Sequence, residues 1–376
     1  DLFLSTLAQA PTYGPTLPDG RYAYRAYDYE DNNKNPYANA KEALSNTRGY
    51  DVSAQAWVDI KFTDYLTWHT KGAVNGTFKK GKSFYPLIPQ YNWHTGDFST
   101  NLNVAGTNKS LTVKDENDML VTLYSHLTFD KRFGDHSLKV LAGYNQESYK
   151  YEYLQGYREG FPGNNLHEIN AGATNGQKAE GSAKEWAIQS FLGRVNYDYL
   201  GKYLVEGNIR YDGTSRLHKD SRWGAFPSVS VGWRMSEESF MKPLTFVSNL
   251  KLRASFGELG NQNIGNYPYQ EMLKLGYNYV FDNQAVSPGA APESLANQNL
   301  LWERTSAWDI GADVSVLDNK LSFVFDWYKK ETKDILRSSQ IPGSIGLNAP
   351  TVNNGGVTNT GIELSVTHQN QLENGL

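Results

Sequence analysis

The sequence predicts an all-β chain, part of a large antiparallel β-barrel that crosses a membrane with strands. Apolar residues recur with period two almost everywhere from Gly49 onward, several alternating runs exceed ten residues, and the connections alternate short and long. Period two puts successive side chains on opposite faces of a strand. Runs of that length exceed the roughly five or six residues of soluble strands and match the about nine to eleven that a tilted transmembrane strand needs. Short turns at one end and long loops at the other are the asymmetry of outer-membrane barrels, with the short turns periplasmic and the loops extracellular.

Taken in order, the stretch from Leu2 to Leu7 reads as a strand remnant and residues up to about 49 as a loop. From Val52, the residues Val52, Ala54, Ala56, Val58, Ile60 and Phe62 form an apolar face against Ser53, Gln55, Asp59 and Lys61, with Trp57 the exception. Val121, Leu123, Leu127 and Phe129 repeat the pattern against Thr122, Tyr124, His126 and Thr128. Phe191, Val195, Tyr197 and Tyr199 oppose Arg194, Asn196 and Asp198, and Tyr203, Val205, Ile209 and Tyr211 oppose Glu206, Asn208, Arg210 and Asp212. Trp308, Ile310, Ala312, Val314 and Val316 oppose Asp309, Asp313 and Ser315, followed by Leu321, Phe323, Phe325 and Trp327. Short turns fall at 63–64, 134–135, 200–202 and 317–320, and long polar loops at 77–117, 152–184, 213–222, 259–305 and 334–357. Only 236–249 departs from the short-turn rule. From Tyr50 the count is about eleven strands; an odd number, with a turn-like end at 369–376, predicts that 1–376 is a partial barrel domain. Unpaired backbone at an open edge in lipid is too costly for the sheet to stand alone.

Composition narrows the function. With 39% hydrophobic and 13% aromatic residues the chain is not disordered, and a net charge of −4 excludes nucleic-acid binding by bulk charge. The absence of cysteine excludes disulfides, thiolate metal sites and cysteine nucleophiles. No run approaches the roughly 18 apolar residues of a spanning helix, which leaves strands as the only crossing element. The cluster Asp28, Glu30, Asp31, Asn32, Asn33 fails the spacing of a calcium loop, and the seven His show no paired spacing. No cofactor, metal or catalytic group is expected.

Specific strings then carry a resemblance: Phe191-Leu192-Gly193-Arg194-Val195-Asn196-Tyr197, Tyr211-Asp212-Gly213-Thr214-Ser215-Arg216, Arg222-Trp223-Gly224-Ala225-Phe226-Pro227-Ser228 and Val231-Gly232-Trp233-Arg234. Leu252-Arg253-Ala254-Ser255-Phe256-Gly257, Gly260-Asn261-Gln262, Asn299-Leu300-Leu301-Trp302-Glu303 and Asn359-Thr360-Gly361-Ile362-Glu363-Leu364 continue it. In order and spacing the set resembles the barrel of SusC-like TonB-dependent transporters of the Gram-negative outer membrane. That resemblance implies a 22-stranded barrel, with plug, TonB-contacting segment and closing strand outside these residues. It also implies TonB and a SusD-like surface lipoprotein as partners, outer-membrane lipid around the wall, and active import of a large nutrient, an oligosaccharide or other glycan. A passive porin and a soluble β-sandwich carbohydrate-binding module are the competing readings; a barrel enzyme would need the pair Asp212 and His218.

Ligand contact is assigned to the loops. Phe84, Tyr85, Tyr91, Trp93 and His94 form an aromatic cluster suited to stacking on sugar rings, or to packing the loop on itself. Tyr157, Arg158 and Phe161 in the next loop, and Asn261, Gln262, Asn263, Tyr267 and Tyr269 in the Gly-rich one, mix rings with donors that hydroxyl-rich ligands need. Asn and Gly also form turns in their own right. Arg216 is expected to pair with a carboxylate. The charges Arg194, Asp198, Glu206, Arg210, Lys251, Arg253, Asp309, Asp313 and Asp326 belong on the water-filled inner face, and Tyr197, Tyr199, Tyr203 and Tyr211 in interfacial aromatic girdles.

Overall fold

Strand pairing dominates the computed structural model, which describes residues 6–7, 14–24, 35–102, 108–281 and 285–370. In chain order the strands are β1 (Leu44–Thr63), β2 (Leu66–Tyr85), β3 (Ile88–Tyr91), β4 (Phe98–Leu102), β5 (Ser110–Phe133), β6 (His136–Glu159), β7 (Ala173–Tyr199), β8 (Tyr203–Thr214), β9 (Trp223–Arg234), β10 (Val247–Asn261), β11 (Leu273–Leu275), β12 (Tyr279–Val280), β13 (Val286–Ser287), β14 (Ala290–Pro292), β15 (Glu303–Val316), β16 (Leu321–Lys333), β17 (Leu336–Ser338), β18 (Thr351–Asn353) and β19 (Gly356–His368). Eleven of them make one sheet in the order β1-β2-β5-β6-β7-β8-β9-β10-β15-β16-β19; the others pair two by two within the connections. The expectation of about eleven strands holds. Among the described residues β1 and β19 are the sheet's two edges.

Register decides which side chains share a face. Paired residues of antiparallel strands point the same way, so the runs Tyr197↔Val205↔Val231↔Ala254↔Ile310↔Trp327↔Ile362 and Phe325↔Leu364 trace one apolar face across six strand boundaries. One residue along, Asn196↔Glu206↔Ser230↔Ser255↔Asp309↔Tyr328↔Gly361 and Gly311↔Asp326↔Glu363 trace the polar face. A slip of one residue would turn every charge of this second set toward lipid, so side-chain hydration strongly specifies the register. Aromatic residues close the apolar band at both ends. Tyr199 stacks on Tyr203 and Tyr203 on Trp233 at the short-turn end, while Tyr211 and Phe191 stack on Trp223 at the loop end. Tyr203 and Tyr211 lie about 27 Å apart along β8, hence roughly 20 Å along the normal of a membrane that the strand crosses at about 40°.

Two loops are shorter than the sequence pattern predicts. β2 continues to Tyr85 and β5 starts at Ser110, and β6 and β7 reach to Glu159 and back from Ala173, so much of 77–117 and 152–184 is strand. Alternation fails as a signal there because apolar residues are few and isolated: Lys79, Lys80 and Lys82 on β2 and Lys114, Asp115 and Glu116 on β5 interrupt the pattern between single buried positions such as Phe84 and Leu111. The loops 213–222, 259–305 and 334–357 and the short turns stand as read. The turn at 200–201 has Leu200 at φ 59° and Gly201 at φ 69°, a pair of left-handed residues whose twist matches that of a hairpin. Of Leu2 to Leu7 only residues 6 and 7 are described, in helical conformation; Asp28, Glu30, Asp31, Asn32 and Asn33 and the end from 371 lie outside the described residues.

By contacts the chain divides into two compact units, residues 1–53, 75–119 and 150–184 in one and 54–74, 120–149 and 185–376 in the other. The first has two small cores. Phe84, Leu111 and Phe161 form one; Ala38, Ile88 and Leu102 form the other, covered by Tyr22. The helix Pro36–Glu42 starts on Asn35, whose Oδ1 accepts from the Ala38 N–H at 2.9 Å while its Nδ2 donates to the carbonyls of Pro15 and Ala23. The second unit carries all the paired faces just described, and its wall needs no apolar interior, since lipid takes that place.

Among the described residues, 235–246 form the one long connection at the short-turn end. Glu238 anchors it, accepting from Tyr203 Oη at 2.6 Å, Trp233 Nε1 at 3.2 Å and Lys202 Nζ at 3.2 Å. These donors, Tyr203 foremost, hold its carboxyl below the ordinary glutamate range. A depressed folded-state value means that the anchor stabilises the fold above the ordinary range and loses its contribution as pH falls through the depressed value. Wild type is therefore expected to exceed Glu238→Gln in thermal stability at neutral pH, with the difference vanishing on acidification below the usual carboxylate range; pH-dependent melting of the two proteins checks it. For the apolar face, Ile310→Arg is expected to cost about 2–4 kcal/mol of folding free energy in lipid vesicles, whereas Ser255→Arg on the watered face costs roughly 1 kcal/mol or less, as read by denaturant titration.

Candidate functional site

The polar face of β7 to β19 is a ladder of fixed hydrogen bonds. On β7 and β8, Asn196 and Asn208 both donate to the Glu206 carboxylate, and Arg194 Nε donates to Asn208 Oδ1 at 2.6 Å. Arg210 spans Asp212, at 2.8 and 2.9 Å, and Ser190 Oγ at 3.0 Å. Further along, one guanidinium serves three carboxylates: Arg253 reaches Asp326 at 2.7 Å, Asp313 at 3.1 Å and Asp309 at 3.5 Å. Gly311 makes this possible, because a Cβ there would collide with Asp326 Oδ1 and press on Arg253 Cζ. The fork geometry of arginine suits it to several acceptors at once, and three carboxylates on one cation leave the patch net negative.

At the loop end of the same unit, Leu217, Phe226, Leu300 and Trp302 pack into a small core with Ile264 and Leu336 against it. It ties the bases of three loops together: Trp302 Nε1 donates to the Arg222 carbonyl at 3.0 Å, and the Phe226 ring lies so close to Gly260 that no Cβ fits. Arg216 does not pair with a carboxylate, contrary to expectation. Its Nη1 donates to the carbonyls of Ile264 at 2.9 Å and Gln262 at 3.5 Å, its guanidinium stands over the Trp186 ring, and burial pulls it below its ordinary pKa. The backbone of the 259–305 loop offered the nearest acceptors, which a sequence cannot show. Below this core, an open cleft of about 990 Å³ is lined by Arg194, Glu206, Asn208, Arg210, Asp212 and Gln262 among others.

Comparison with known proteins accounts for this architecture. The family described as TonB dependent receptor-like, beta-barrel matches residues 2–375. The chain belongs to that family. It is 29% identical over 372 residues to the TonB-dependent receptor P3 of Formosa agariphila, covering 98% of this chain and 36% of that protein. To the TonB-dependent receptor SusC of Bacteroides thetaiotaomicron it is 28% identical over 360 residues, 94% of this chain and 34% of that protein. The chain thus spans about a third of the length of these relatives. Among solved structures, the RagAB peptide transporter matches with a TM-score of 0.81 at 22% identity, over 95% of this chain and 38% of its own, a likeness of fold. As a TonB-dependent receptor barrel the chain lies in the outer membrane, its apolar face in lipid and its polar face inward.

Such a barrel is not an enzyme, and the one pair that could have argued otherwise is not formed. Asp212 is engaged by Arg210, and His218 Nδ1 faces Asp220 at 3.3 Å. The ligand-contact residues named from the sequence fall into two groups by unit. In the first, Phe84 and Phe161 are buried edge to face at 5.3 Å, with His167 against Phe84, so they fill the interior between strands. Tyr85 is half-buried on β2; Tyr91 carries the Arg21 guanidinium on its face at 4.3 Å and meets Phe98 edge-on, and the Trp93 ring covers Gly14. The His94 N–H donates to Asn92 Oδ1. Tyr157 Oη donates to Glu159, and Arg158 Nη1 to the Gly172 carbonyl at 3.4 Å.

In the second unit, Asn261 Nδ2 donates to Glu303, and its Oδ1 accepts from the Asn263 N–H. Tyr267, at φ 53°, meets Tyr269 edge-on at 6.1 Å, and Tyr269 Oη donates to the Ser215 carbonyl at 3.5 Å. Gln262 Oε1 is buried without a partner beside the cleft. The sequence reading missed Asn196 and Asn208 as site residues, though both sit on the polar face of runs it identified, and Ser190, one residue before the first of these runs. Arg253→Met is expected to destabilise the wall by on the order of 1–3 kcal/mol, because three carboxylates lose their shared cation, and Asp313→Asn in the same chain should recover part of that. Loss of heat-resistant electrophoretic mobility in single and double variants measures both.

Proposed function

We propose that this chain is the wall and loops of an outer-membrane importer of the SusC/SusD type, energised through TonB and taking up a large nutrient, in first place an oligosaccharide or other glycan. The observation that carries it is the inner-face ladder of Arg194, Asn196, Glu206, Asn208 and Arg210 under a loop that offers Gln262, Asn263, Tyr267 and Tyr269. Amide and carboxylate groups matched to hydroxyls, with tyrosine rings for sugar faces, are the chemistry of a polyhydroxylated ligand. Similarity to the receptor named SusC supports the type, and a SusD-like surface lipoprotein is the proposed extracellular partner.

A peptide is the second class of cargo. RagAB is a peptide transporter, and the same amide and carboxylate ladder would serve peptide backbone. Tyr91, Trp93, His94, Tyr157 and Arg158, with Tyr85, are the proposed contacts in the first unit; Phe84 and Phe161, being buried, are proposed to support them. Purification of the whole transporter from native outer membrane is expected to bring down a surface lipoprotein. Glycan-array and peptide-library binding should then show glycan retention that Gln262→Ala with Tyr269→Ala weakens by about tenfold, equal to roughly 1.4 kcal/mol. Retention of peptides alone would replace the glycan reading.

A further inference from the structure

Among the described connections at the short-turn end, residues 235–246 form the longest. Their backbone folds as successive three-residue turns: Glu238 N donates to Met235 O, Met241 N to Glu238 O, Leu244 N to Met241 O and Val247 N to Leu244 O, at 2.9 to 3.1 Å. Only every third peptide group is closed in this way, so the segment suits the hydrated membrane interface, with backbone toward water and apolar side chains toward lipid, and not the hydrocarbon interior. What it presents outward is apolar: Phe240 is 60% exposed, Phe246 58% and Leu244 43%.

The Glu238 anchor states which side of the wall this segment lies over. Its two ring partners, Tyr203 and Trp233, are register partners of one another and of Leu252, all on the lipid face. The exposed apolar residues therefore continue the stacked aromatic girdle of Tyr199, Tyr203 and Trp233. Neighbouring wall does not cover them, since β9 and β10 are flanked in the same sheet by β8 and β15. A plug or ligand inside the barrel would sit against the opposite face. Lys242, paired with Glu237 at 3.3 Å and itself well exposed, supplies a cation at headgroup level.

We infer that residues 235–246 are a membrane-interface anchor, which seats Phe240, Leu244 and Phe246 among the acyl chains of the leaflet at the short-turn end. Glu238 sets its angle. A free loop would turn these rings toward one another, whereas the bonds to Tyr203 and Trp233 hold the segment along the outer surface, in the manner of an interfacial amphipathic segment.

The test uses the whole transporter containing this chain, reconstituted in vesicles of phosphatidylethanolamine and phosphatidylglycerol, with nitroxide labels at Phe240→Cys, Leu244→Cys and, in the two-residue turn, Asp135→Cys. Oxygen, which concentrates in lipid, and a water-soluble nickel chelate are compared as relaxing agents. Labels at 240 and 244 are expected to collide with oxygen several-fold more than with nickel, and the label at 135 the reverse. Adding Glu238→Ala should raise nickel access at 240 several-fold. Equal nickel access at 240, 244 and 135 would overturn the anchor, and so would shielding of 240 and 244 from both agents, which would mean a protein partner. If Phe240→Cys does not fold, the label at 244 gives the same reading.

Discussion

Everything in this wall follows from the cost of an unpaired peptide group in hydrocarbon. In the run β7-β8-β9-β10-β15-β16-β19 each strand pairs with its neighbours, those inside the run on both sides, through registers of up to fourteen pairs. Once that pairing is made, the two faces are free to differ as sharply as their surroundings demand. Lipid requires Ile310 and Trp327 on one face, and water permits Asp309 and Tyr328 one residue away. The all-or-none consequence of a one-residue slip makes side-chain hydration the enforcer of register.

The same constraint explains why charge on the inner face is locally arranged. Arg253 with its three aspartates and Glu206 with its two asparagines are half-exposed groups in an aqueous lumen, where single ion pairs contribute little, so their role is to fix side-chain positions along the ladder. Fixed polar groups give a ligand a preorganised surface. The loop-base core of Leu217, Phe226, Leu300 and Trp302 does for the loops what lipid does for the wall, providing an apolar phase that positions polar neighbours such as Gln262.

At the membrane boundary the two regimes meet. Stacked rings at both ends of β8 mark its limits, and at the short-turn end Glu238 joins Tyr203 and Trp233 to a segment that leaves the sheet without leaving the interface. Local i to i+3 bonds follow the inter-strand ladder there and close every third peptide group, which leaves the rest to the water of the interface.

Much of this was legible in residue order. Alternation from Tyr203 to Tyr211 or Trp308 to Val316 fixed strand type and face, since a half-lipid, half-water surface imposes period two on composition, and the run of familiar strings fixed the family. Loop extents were not legible where apolar residues are few, as on the far halves of β2 and β5, because isolated positions such as Phe84 and Leu111 carry no period. Nor were partners separated by long stretches of chain. Arg216 finding the carbonyls of Gln262 and Ile264, Phe84 sinking against Phe161, and Arg253 gathering Asp309, Asp313 and Asp326 all depend on which strands lie side by side. By itself the sequence determined the faces, because each residue carries its own preference for lipid or water; only the tertiary structure decided the partners, because distance between side chains is a property of the paired sheet and not of the chain.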